Sequence, residues 1–162
     1  MKKNFIKNKD GLLTVNVKPN EEKNKKFYIK SYYQKTLSKT YKKKYSSDEI
    51  KFNELSFKLV KLFFKKKHKS ILDIGAGEGY WLNFFNKYNY KCYGVDLSSF
   101  GIKTHNPKLL KKIEFINCDV IKDDFFSGKQ FDIIFLINVA EHISNFNIFI
   151  KKIYKKLKKN GI

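Results

Sequence analysis

The stretch that most constrains this chain is residues 70–80, SILDIGAGEGY. It opens as a short apolar run with β-branched Ile71 and Ile74, breaks into Gly75-Ala76-Gly77-Glu78-Gly79, and continues with Trp81, Phe84, Phe85 and Tyr88 at helical spacing. The pattern predicts a strand, a tight glycine turn and a helix. Three of the eight glycines fall within five residues, where a chain must turn sharply, admit a ligand to its backbone and pack a helix closely on a strand. Such a turn binds something.

The acids around it indicate what. The run YKCYGV at 90–95 reads as a second strand ending at Asp96, which lies 21 residues after Gly75. A carboxylate at that distance is placed to accept hydrogen bonds from ribose hydroxyls, as it would for a dinucleotide too. A third run, 113–118, ends at Asp119, and Asp73 sits near the end of the first. A pyrophosphate beside Asp73 would be repelled, whereas a ligand carrying an amine and a sulfonium would be attracted. The turn is also GxGxG, not GxGxxG. These residues favour a cationic adenosyl ligand.

The rest of the chain alternates accordingly. Ser46-Ser47-Asp48-Glu49 fits a capping box opening a helix at Ser47, whose stripe of Phe52, Leu55, Leu59, Leu62 and Phe63 is expected to face the sheet. Strands at 70–74, 90–95, 113–118 and 131–138 then alternate with helices at 79–88 and 144–159 and with a broken connection at 97–112, which contains Gly101 and Pro107. The fourth run, FDIIFLIN, is nearly continuously apolar, as a strand covered on both faces should be. The expected class is α/β: a Rossmann-like, doubly wound parallel sheet with helices on both faces and a helical N-terminal extension.

ILDIGAGEG, YGVDLS, FINCDV and FDIIFLINVAEHI, in that order, resemble the motif series of class I S-adenosylmethionine-dependent methyltransferases of the small-molecule type. The resemblance covers about residues 70–162 and implies a partial sheet of strand order 3-2-1-4, with S-adenosylmethionine as cofactor. It implies that Gly75, Ala76, Gly77 and Gly79 let the backbone approach the cofactor, and that Asp73 orients its amino-acid end. Asp96 would bind the ribose, with Leu97 against the adenine. Asp119 would bind the adenine amine, with Val120 beside it, and Asn138 would sit near the transferring methyl. Glu141-His142 resembles a pair in ubiquinone-biosynthesis O-methyltransferases, which makes His142 the candidate base. The residue three before Glu141 is Asn138, so no metal is expected. The expected reaction is methyl transfer to a small-molecule acceptor, with oxygen leading. The alternatives are an RNA methyltransferase and a non-catalytic module of the same fold.

Residues 157–161 resemble the family's lead-in to a fifth strand, so the chain is expected to be a piece of a longer protein. A bare fourth strand would otherwise be an apolar edge open to self-association.

The domain division expected is a basic leader and candidate lid at 1–45, ahead of the cofactor domain at 46–162. Alternation within 12–17 fits a strand or hairpin arm, although a mobile leader is the preferred reading. Tyr28, Tyr32, Tyr33, Tyr41 and Tyr45 are the candidate lid aromatics. The formal charge is +20, and all 35 cations are lysine. Of these, 21 precede Ser70, outside the cofactor unit. Base readers usually employ arginine, so its absence disfavours a nucleic-acid partner. Cys92 and Cys118 lie in expected strands without metal spacing, and no run reaches membrane-span length. A cytoplasmic protein with reduced thiols is expected.

Overall fold

The computed structural model describes residues 5–7, 9, 11, 13–15, 20–32, 45–143 and 145–162. Its main sheet holds β3 (Ser70–Ile74), β4 (Lys91–Asp96), β5 (Glu114–Asn117) and β6 (Ile133–Phe135) in the order β5-β4-β3-β6. Every pairing is parallel, with Asp73 opposite both Gly94 and Phe135 and Asp96 opposite Asn117. This is the expected 3-2-1-4 arrangement of a Rossmann-like sheet.

Strand periodicity divides the core in two. Ile71, Cys92 and Ile133 project to one face and meet Phe57 of α2 (Ser47–Lys61), Leu82 and Phe85 of α3 (Tyr80–Lys87) and Ile102 of α4 (Phe100–His105). Leu72, Ile74, Tyr93 and Val95 project to the other and meet Phe149 and Ile153 of α5 (Phe146–Lys155). Each such fully buried side chain contributes on the order of 2 kcal/mol. α3 approaches β4 closely because Gly94 has no side chain, and a Cβ there would come within 2.7 Å of Leu82. The connection after β4 breaks as expected, into α4 and a 3-10 turn at Pro107–Lys111.

α2 starts where its signal lies: Ser46 Oγ accepts from Glu49 N at 3.2 Å, and Glu49 Oε2 accepts from Ser46 N at 2.8 Å. Its orientation differs from expectation. Phe57 is the buried residue, its ring stacked on Tyr88 at 5.0 Å and packed at a tilt against Phe84 and Phe85 at 4.9 Å. The stripe Phe52, Leu55, Leu59, Leu62 and Phe63 is instead 54–79% exposed. The helix is apolar on two sides, and the aromatic rings of α3 select the side carrying Phe57.

The fourth strand is also shorter than its apolar run. Only Ile133–Phe135 pair with β3, and Asn138 lies three residues beyond, with φ of +54°. Along the outer edge of β6, Ile134 N donates to Ile162 O at 2.9 Å and Ile162 N donates to Asp132 O at 3.0 Å. The first outward-facing backbone pair of that edge is therefore satisfied within the chain.

The region read as a leader carries structure where it is described. β1 (Phe5–Lys7) and β2 (Leu13–Val15) pair antiparallel, and α1 (Glu21–Lys30) follows, capped by Asn20 Oδ1 accepting from Lys23 N at 2.9 Å. Tyr33 and Tyr41 lie outside the described residues. No helix among the described residues is long and apolar enough to cross a membrane.

Candidate functional site

A cleft of about 290 Å³ opens at the carboxyl ends of the four parallel strands, with α1 across it. Open parallel sheets place ligand sites there, because the connections on either side of the first strand leave to opposite faces. Gly75, Asp96, Leu97, Asp119, Val120, Asn138 and His142 all line the cleft. Asp73, Ala76, Gly77 and Gly79 are not among its lining residues, although Asp73 lies close to Asp96, which is.

The glycine turn is tied down from the second strand. Gly77 N donates to Asp96 Oδ2 at 2.9 Å, while Asp96 Oδ1 accepts from Ser98 N at 3.0 Å. The Gly77 N–H is therefore satisfied by a neighbouring carboxylate. Gly75 adopts φ of +75°, and a Cβ there would sit inside the Val139 side chain. The residue must be glycine on both counts.

The acids differ in their surroundings. Asp73 is only 3% exposed and accepts no hydrogen bond from any described residue. Burial, and then the charge of Asp96, push its carboxyl up to about 8. Burial also raises Asp96, against the opposing pull of backbone N–H groups from Ser98, Gly77 and Leu97. Asp119 moves the other way. Burial pushes it up, but Lys25 Nζ at 3.0 Å and the Ile121 N–H at 3.1 Å outweigh that and hold it below the usual range. Burial pushes Glu78, inside the turn, up to about 7, and Glu78 accepts the Tyr45 hydroxyl.

His142 closes the 3-10 turn Ala140–His142. Its ring meets Tyr28 edge-on at 5.6 Å, and its Nε2 lies 3.8 Å from Glu141 Oε1. Tyr28 and Tyr32, two of the candidate lid aromatics, line the cleft, and Lys25 and Val139 are lining residues that sequence alone did not single out. Lys25 stands one turn before Tyr28 on α1, a helical spacing that could have marked it.

Residues 47–162 match the family described as a methyltransferase domain. The chain belongs to the class I S-adenosylmethionine-dependent methyltransferase family. A ubiquinone biosynthesis O-methyltransferase from Pelagibacter ubique (strain HTCC1062) is 34% identical over 101 residues, 59% of this chain and 40% of that protein. N-methyltransferase 4 of Papaver somniferum is 35% identical over 99 residues, 57% of this chain and 28% of that protein. This chain thus spans less than half the length of the curated relatives it matches. Among solved structures, the PH0226 protein from Pyrococcus horikoshii OT3 shares the fold with a TM-score of 0.57 at 24% identity, covering 72% of this chain and 56% of that one.

Proposed function

We propose that this chain forms the cofactor-binding part of a methyltransferase that moves a methyl group from S-adenosylmethionine to a small-molecule acceptor, with oxygen as the receiving atom. Asp73 carries the reading: it is 3% exposed, lies beside Asp96 and has no donor among the described residues. A carboxyl buried without a partner suits a ligand that brings its own cation. Gly75 fits the same ligand, because its bare backbone leaves the cleft wall open where any side chain would collide with Val139.

S-adenosylmethionine, when bound, supplies a methyl group on a sulfonium, an electrophile that needs an aligned acceptor above all. Asp73 holds the ammonium of the amino-acid end, directly or through water. Asp96 takes the ribose hydroxyls with the lone pairs left by Gly77 and Ser98. Leu97 and Val120 would flank the adenine, Asp119 would bind its amine, and Asn138 would sit near the transferring methyl. His142, half-exposed on the cleft wall, accepts the proton of an acceptor hydroxyl. That available base favours oxygen. The competing reading is an amine acceptor, since a relative of equal identity carries an N-methyltransferase name. Tyr28 and Tyr32 line the cleft, which supports a lid role for the segment 1–45 ahead of the cofactor domain at 46–162.

Calorimetric titration with S-adenosylhomocysteine tests the reading. We expect saturable binding by the folded chain and at least about tenfold weaker binding by Asp96→Ala, on the scale of a lost charged hydrogen bond. Folded wild type that takes up no ligand would overturn it. Methyl transfer to a panel of phenols and amines, with wild type and His142→Gln, separates the two acceptor atoms.

A further inference from the structure

We propose that Lys25 is a resident competitor for the Asp119 carboxylate, so that α1 straps the cleft until the adenine end of the ligand displaces the lysine. The inference rests on the assignment of Asp119 to the adenine amine made above.

Asp119 is held in place by its own turn. Its carbonyl accepts from Lys122 N and Asp123 N at 3.0 and 2.7 Å, and its N–H donates to Asp123 Oδ2 at 2.8 Å. Within the carboxylate, Oδ1 is taken by Ile121 N. Oδ2 is the oxygen left to face the cleft, and Lys25 Nζ sits on it at 3.0 Å. An incoming amine would need that same acceptor.

The contact also has reach. Asp119 follows β5 and His142 follows β6, the two outermost strands of the order β5-β4-β3-β6. Lys25 touches the first residue and Tyr28, one turn further along α1, touches the second. The helix therefore spans the whole cleft and is pinned at both margins. The Lys25 side chain is 40% exposed and its partner 11%. An ion pair so placed is weak enough for a ligand to break.

Replacing Lys25 with methionine keeps the aliphatic stem and removes the charge. In the ligand-free protein, amide hydrogen exchange across α1 should quicken by about three- to fivefold in Lys25→Met, the scale of one exposed ion pair. The variant should bind S-adenosylhomocysteine about three- to fivefold more tightly at low salt. That advantage should vanish near about 0.5 M salt, where screening loosens the wild-type pair. Unchanged exchange in α1, equal affinities, or weaker binding by the variant would each overturn the competitor role alone. Absence of binding by both proteins would overturn the cofactor reading itself, and the competitor role with it.

Discussion

Asp73 and Asp96 lie near the carboxyl ends of adjacent parallel strands, and only one of the two is held by the fold: Asp96 grips Gly77 and Ser98, while Asp73 is buried with no described donor. In the folded chain Asp73 keeps its proton up to about pH 8, against an ordinary carboxyl value of 3.8. Between those values the folded state binds a proton that the unfolded state has lost. The stability this contributes is full below the ordinary value and is lost as pH rises through about 8. Urea denaturation from about pH 5 to about pH 8.5 should therefore show wild type losing stability more steeply than Asp73→Asn. Parallel curves would mean that Asp73 is ionised in the folded protein.

Gly75→Ala should cost about 2 kcal/mol from its left-handed backbone alone, with the overlap on Val139 adding to that. Thermal melting measures the loss. Adding Val139→Ala should recover the steric part and leave the backbone part, and full recovery would show that the φ of Gly75 is not strained for alanine.

The two sides of α2 should respond differently. Phe57→Ala empties a fully packed position among Phe84, Phe85 and Tyr88 and should cost about 3–5 kcal/mol. Leu59→Ser and Phe63→Ser change exposed positions and should stay within about 0.5 kcal/mol. Chemical denaturation decides, and equal losses would place the stripe in the core.

Asp132 is a structural carboxylate at the other end of the sheet. Its Oδ2 accepts from Lys69 N, Ser70 N, Ser70 Oγ and Lys158 Nζ at 2.7–3.1 Å. Asp132→Ala should destabilise the chain by about 3 kcal/mol, because backbone donors at the start of β3 lose their acceptor. A denaturation midpoint equal to wild type would show that water replaces it.

Much of this was legible in local sequence. The Gly75–Gly79 turn, the capping box at Ser46 and the alternation of Ile71 and Leu72 each depend on a few neighbouring residues, and each appears where its pattern lies. Asp96, Asp119 and His142 reach one cleft because strand ends in a parallel sheet share an edge, a consequence of topology that motif order already carries.

What local pattern left open was which partner a given surface meets. α2 has apolar residues on two sides, and its periodicity cannot say which side faces α3. The pairing of Lys25 with Asp119 joins residues 94 positions apart, and its basis is three-dimensional proximity that neither residue's neighbours encode. Sequence alone determined the order of elements in the cofactor domain, the family and the ring of acids, since those follow from short-range sterics and residue chemistry, whereas the positions of the strands and helix ahead of it were not legible. Only tertiary structure decided which carboxylate is satisfied, which is left without a donor and which is covered by α1, because burial and partner distance exist only once the chain has packed.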